Sequence, residues 1–141
     1  MQIQQACKSD YPQMMDVWES AVKATHSFLN PEDFEFYKKL IPDFFPLVNS
    51  YVLRSGTDIF AFLGVADDKL EMLFVSDNAR GQGYGKLLLE YAIENLYITK
   101  VDVNEQNKQA IGFYQKFGFR IVGRSEKDSI GKDYPILHLS L

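Results

Sequence analysis

The sequence predicts a mixed α/β fold: a central, mostly antiparallel sheet, one β-α-β crossover, and helices on both faces. Three observations predict it. Stretches of helical spacing and of strand character alternate in the order β-α-α-β-β-β-α-β-α-β-β. Three successive strands in the middle are separated by short polar turns, which implies antiparallel hairpins. A strand, a glycine-bearing loop, a helix and another strand then follow one another, and such a crossover favours parallel neighbours.

Taken in order, Gln2–Lys8 is a short, half-apolar first strand. Ser9-Asp10-Tyr11-Pro12 starts a helix, with capping side chains ahead of a proline whose missing N–H costs nothing in the first turn. Met14, Val17, Trp18, Ala21 and Val22 then follow at helical spacing. Asn30-Pro31-Glu32-Asp33 starts a second helix, with Phe34, Tyr37, Leu40 and Ile41 as its apolar face and Pro42 as its end. Tyr51–Arg54, Ile59–Ala66 and Leu70–Val75 are strands, joined by Ser55-Gly56-Thr57 and Asp67-Asp68. After the loop Ser76–Gly83, a helix over Tyr84–Leu96 turns Leu87, Leu88, Tyr91, Ala92 and Leu96 inward. Ile98–Val103 is a strand, and Asn107–Phe117 is a helix ended by Gly118 as a left-handed cap. Phe119–Arg124 and Ile136–Leu141 close the sheet, joined by a charged loop.

No linker, repeat or low-complexity stretch interrupts this order, so residues 1–141 are expected to form one domain. Hydrophobic residues make up 46% and charged residues 24%, the balance of a globular chain. The net charge of −4 argues against a general nucleic-acid partner, which needs a positive surface to displace counterions. No apolar run reaches the roughly 20 residues of a membrane helix, so no membrane partner is expected. The single cysteine, Cys7, can form no internal disulfide and is expected to be a buried, inert thiol. With no secretory leader visible, the cytoplasm is the simplest location.

The most informative segment is Leu73-Phe74-Val75-Ser76-Asp77-Asn78-Ala79-Arg80-Gly81-Gln82-Gly83-Tyr84-Gly85-Lys86. Glycines at every second position let the backbone approach a ligand closely, and the N-terminus of the following helix favours an anion, above all phosphate. It is not a Walker A loop: Gly85-Lys86 is followed by Leu87 rather than a hydroxyl, and Arg80 stands where the first glycine would be. Nor is it a dinucleotide fingerprint, because the third glycine position is Lys86 or Leu88, depending on the register. What remains is Arg80-x-x-Gly83-x-Gly85. About twenty residues on comes Asn107-Lys108-Gln109-Ala110-Ile111-Gly112-Phe113-Tyr114-Gln115-Lys116-Phe117-Gly118-Phe119. Ala110, Phe113, Tyr114 and Phe117 share one helical face, and Tyr114 carries the only proton donor on it.

The first segment resembles the pyrophosphate loop of the GNAT superfamily of N-acetyltransferases, Gln/Arg-x-x-Gly-x-Gly/Ala. The second resembles that family's N-x-x-A-x-x-F-Y-x-x-x-G-F motif at every fixed position. The resemblance is specific over residues 70–124. It extends to a small bacterial subgroup through Ala24-Thr25-His26-Ser27-Phe28-Leu29, Val103-Asn104-Glu105-Gln106-Asn107, Gly123-Arg124-Ser125-Glu126 and Gly131-Lys132-x-Tyr134-Pro135.

The resemblance implies an N-acetyltransferase that takes acetyl-coenzyme A as cosubstrate and moves the acetyl group directly to a primary amine. It implies cofactor contacts at Leu73, Phe74 and Val75, mostly from the main chain, then at Arg80, Gly81, Gln82, Gly83, Tyr84, Gly85 and Lys86, and at Asn107, Ala110 and Tyr114. Tyr114 is expected to protonate the departing thiolate. Glu71 is a candidate for the base that deprotonates the incoming ammonium, and His26 for that base or for a group that binds the acceptor. Each residue also has a plainer reading: Tyr114 as core aromatic, Glu71 as solvated strand residue, His26 as packing residue, Asn107 as helix cap. His138 has no supporting context in the sequence, and two scattered histidines with one cysteine predict no metal site. Dimers are common in the family, so a homodimer is admitted. The alternative function is an acyl-coenzyme A sensor of the same fold without turnover.

Overall fold

A computed structural model describes all 141 residues. They group into two compact units, Met1–Ile98 and Thr99–Leu141. The first contains strand β1 (Gln2–Gln5), helices α1 (Tyr11–Thr25) and α2 (Pro31–Leu40), strands β2 (Asn49–Ser55), β3 (Asp58–Ala66) and β4 (Lys69–Val75), and helix α3 (Tyr84–Asn95). The second contains β5 (Lys100–Asn104), α4 (Lys108–Lys116), β6 (Arg120–Ser125) and β7 (Ile136–Ser140). The seven strands and four helices follow the order expected from the sequence.

In the first unit the strands lie in the order β1-β2-β3-β4, each antiparallel to the next. Alternation decides which side chain meets which helix. Val52 and Phe62 enter a core with Met14, Val17, Trp18 and Val22 of α1, and Phe34 and Tyr37 of α2 pack against its edge. Aromatic rings join this core, with centroids 5.2 Å apart for Tyr11 and Phe45, 5.6 Å for Phe45 and Phe62, and 5.5 Å for Trp18 and Phe34. On the opposite face Tyr51 meets Tyr91 of α3 at 5.5 Å. Gln13 of α1 grips the β2–β3 turn from both ends, donating to the Thr57 carbonyl at 2.8 Å and accepting from Ile59 N–H at 3.0 Å.

In the second unit β7 lies between β5 and β6, antiparallel to both. Asn107 caps α4, and the chain turns out of that helix through Gly118 at φ 94°. Leu137 and Leu139 are buried on one face of β7, while Ile136, His138 and Ser140 on the other are only half-buried.

The structure corrects several expectations. The first strand ends at Gln5, and Lys8–Asp10 forms a short 3-10 turn instead. Cys7 is exposed, not buried. Helix α2 stops at Leu40, before Pro42, which instead occupies the first turn of a 3-10 helix over Ile41–Leu47, where its missing N–H is harmless. The buried stripe of α3 is Leu88, Leu89 and Ala92, with Leu87 exposed. At about 100° per residue, Leu87 points well away from that stripe, and the adjacent leucines conceal which of them faces in.

Asp10 is the buried charge of the first unit. Its Oδ1 accepts from the Arg54 guanidinium at 2.6 Å and its Oδ2 from Cys7 N–H at 3.0 Å, tying the start of α1 to β2. Burial alone would raise its pKa; the Cys7 N–H, the Arg54 guanidinium and the Cys7 thiol outweigh it and hold the carboxyl below its ordinary value. A lowered carboxyl pKa stabilises the fold fully above the ordinary carboxylate range, and that contribution is lost as pH falls through the lowered value. Asp10→Asn should therefore cost about 3 kcal/mol at neutral pH and flatten the acid limb of stability, as urea unfolding of both proteins across an acid pH series would register.

Candidate functional site

Strand β4 is irregular where the site begins. Gly64 of β3 pairs with Met72 and Val65 pairs with Leu70, so Glu71 is an extra residue in a β-bulge, and it is exposed. Beyond the bulge Leu73, Phe74 and Val75 resume pairing with Leu63, Phe62 and Ala61. The Phe74 ring lies 5.6 Å from that of Phe62, so its side chain belongs to the core. Ser76 N–H donates to the Phe60 carbonyl at 2.9 Å, and a 3-10 turn over Asp77–Ala79 leads the chain away from the strand. Helix α1 pins this departure: Ser20 Oγ accepts from Asp77 N–H at 2.9 Å. Sequence reasoning missed Ser20, because a serine on a helix carries no local sign of a partner 57 residues away.

From Arg80 to Gly83 the loop is exposed. Gly81 has φ 78°, and Gly83, at φ 82°, is the residue from which α3 starts. Only glycine adopts this backbone readily. A Cβ at either position would meet nothing within 4 Å, so the space they leave opens away from the protein. The first helical bond of α3 runs from Leu87 N–H to the Gly83 carbonyl, which places the N–H groups of Tyr84, Gly85 and Lys86 ahead of the ladder. The loop thus combines an open glycine cradle, backbone donors and the positive end of a helix. Arg80 lies 3.5 Å from Asp77 and Lys86 3.9 Å from Glu90, both as surface pairs. The Tyr84 hydroxyl donates to Gln82 Oε1 at 3.1 Å. This donor set fits a pyrophosphate.

His26 closes α1. Thr25 Oγ1 donates its one proton to the Ala21 carbonyl at 2.8 Å and lies 2.7 Å from His26 Nδ1. The hydroxyl can only accept from the ring, so Nδ1 carries the hydrogen and Nε2 holds the lone pair. Burial pushes the imidazole pKa down to about 4, so the ring is neutral at physiological pH. Thr25 is a second residue sequence reasoning passed over, although its place directly before His26 was the available signal.

In the second unit Asn107 Oδ1 accepts from Ala110 N–H at 3.2 Å, so the capping reading of Asn107 holds. Tyr114 is 7% exposed, with its ring 5.2 Å from Phe113 and 5.7 Å from Phe119. Burial pushes its phenol pKa up, which keeps the proton on oxygen throughout the physiological range. The buried partner of Tyr114 on α4 is Ile111; Phe113 and Phe117 are half-buried. Arg124 grips Glu105 with two bonds of 2.6 and 3.2 Å. His138, without context in the sequence, has it in space: its ring joins Asp102 and Ser125. No group of three or more His, Cys, Asp or Glu side chains is placed to hold a metal ion.

The family described as acetyltransferase (GNAT) domain matches residues 47–121. The peptidyl-lysine N-acetyltransferase YjaB of Salmonella typhimurium is 39% identical over 127 residues, covering 89% of this chain and 88% of that protein. The protein of the same name from Escherichia coli is 36% identical, covering 91% of this chain and 88% of its own length. The solution structure of apo-form YjaB from Escherichia coli superposes with a TM-score of 0.90 at 34% identity, over 99% of this chain and 95% of that one.

A lowered imidazole pKa stabilises the fold fully above the ordinary value of 6.5, and the contribution is lost as pH falls toward 4. An NMR titration of the His26 ring should accordingly show no inflection near 6.5 and a midpoint near 4. A midpoint at the ordinary value would mean that the ring is not desolvated as described.

Proposed function

The chain belongs to the GNAT acetyltransferase family, and on that premise we propose that it transfers an acetyl group from acetyl-coenzyme A to the ε-amine of lysine in a peptide or protein. It is an N-acetyltransferase of mixed α/β fold. The lysine acceptor rests on the names of the two YjaB relatives. The observation that carries the reading is the open, positive-φ glycine loop at the start of α3.

Residues 1–141 act as one catalytic domain. Acetyl-coenzyme A supplies the acetyl group as a thioester and is held at its pyrophosphate by the N–H groups that follow Gly81 and Gly83, with Arg80 and Lys86 adding charge and Gln82 and Tyr84 lining the loop. The main chain of Leu73, Phe74 and Val75 pairs with the extended arm of the cosubstrate as an added strand would. Asn107 and Ala110 contact it from α4. Tyr114 holds a proton for the departing sulfur, a role favoured by a phenol that burial keeps protonated. His26, whose Nδ1–H tautomer leaves the lone pair on Nε2, is placed to take the proton of the incoming ammonium there. Glu71 is exposed on its bulge and draws the cationic acceptor.

The test is steady-state acetylation of a lysine peptide by the wild type and Tyr114→Phe. Loss of the general acid should lower kcat roughly 100-fold with little change in the KM for acetyl-coenzyme A. Equal kcat values would remove Tyr114 from the chemistry. Binding without any turnover in the wild type would favour the sensor reading.

A further inference from the structure

Three side chains form a hydrogen-bonded row across the less buried face of the second unit. Asp102 on β5 and His138 on β7 are register partners, and Asp102 Oδ1 lies 2.7 Å from His138 Nδ1. On the other side of the ring, His138 Nε2 lies 2.7 Å from Ser125 Oγ at the end of β6. The strand opposite the ring carries Gly123, and a Cβ there would come within 3.4 Å of His138 Cδ2. The missing side chain lets the imidazole lie flat over β6 and reach Ser125.

The chemistry of each partner sets the protons. A carboxylate only accepts, so in the neutral ring Nδ1 carries the hydrogen and donates it to Asp102. Nε2 then presents its lone pair to the Ser125 hydroxyl, which donates. This is the order of groups that activates a serine: a carboxylate fixing the tautomer, an imidazole as base, and a hydroxyl as nucleophile. The row is open to solvent, with Asp102 and His138 side chains 30% and 37% exposed and Ser125 half-exposed. None of the three has a part in the acetyl transfer described above.

We propose that Ser125 is a base-activated nucleophile that takes acyl groups from small, activated carboxylic esters. Ser125 Oγ attacks the ester carbonyl while its proton passes to His138 Nε2. The ester C–O bond then breaks, and the leaving alcohol or phenol departs with that proton, giving an acyl-Ser125 ester. Water, deprotonated by the same imidazole, attacks the acyl carbon and releases the carboxylic acid and free Ser125. Atoms balance as ester plus water giving acid plus alcohol.

The probe is p-nitrophenyl acetate, read by nitrophenol release and by peptide mass spectrometry of the quenched protein. The wild type should carry an acetyl group on the peptide containing Ser125. Ser125→Ala should lose that adduct, and His138→Gln should reduce its formation roughly 100-fold. Asp102→Asn should also reduce it. All three should keep lysine-peptide acetylation, which separates loss of the relay from loss of the fold. Acetyl groups only on lysines or the N-terminus, or nitrophenol release undiminished in Ser125→Ala, would overturn the proposal.

Discussion

The arrangement of the candidate site depends on how α3 begins. Its first residue follows a glycine at φ 82°, a conformation that costs an ordinary L-residue roughly 1–2 kcal/mol. Glycine also brings no side chain to cap the helix. The first N–H groups of α3 are therefore left for something other than the protein, and the loop ahead of them is bare enough for it to approach. A helix that began with serine or aspartate would be better capped and would satisfy its own donors. The chain does without such a cap at the start of α3 and leaves these donors open.

The rest of the first unit holds that loop in place. The register of β4 against β3 is pinned by Phe62 and Phe74 in the same core that buries Trp18 and Met14. The Ser20 hydroxyl then fixes the first peptide after the strand. On β4 the bulge at Glu71 sets a carboxylate out toward solvent two residues before the half-buried run from Leu73 to Val75. At the far end of α1, Thr25 selects the tautomer of His26 while burial keeps the ring neutral. One helix thus anchors the loop near its middle and orients a neutral imidazole at its C-terminus.

Much of this was legible in the sequence, and what was hidden has physical causes. The five residues expected to face inward on α1 are the five that are buried, because that helix has one clear apolar stripe. Asn30 and Asn107 announced their helices by capping chemistry, and both side chains accept from the N–H three residues on. On α3 three consecutive leucines blurred the phase. The bulge at Glu71 reads as ordinary strand in the sequence, since a bulge is a property of a pair of strands. The same reason hid Asp102, His138 and Ser125: they lie on three different strands, and only pairing makes them neighbours. Cys7 was misjudged from composition, where cysteines are more often inside; its place in the exposed corner between β1 and α1 overrides that tendency.

The most direct test of the account is calorimetric titration of acetyl-coenzyme A into the wild type and into Gly83→Glu, with circular dichroism confirming that both are folded. The account predicts saturable binding to the wild type at one site per chain. It predicts that binding is lost in the variant, whose side chain brings bulk and negative charge to the cradle where the pyrophosphate would lie. Equal affinity in the two proteins would contradict the claim that the start of α3 holds the cosubstrate.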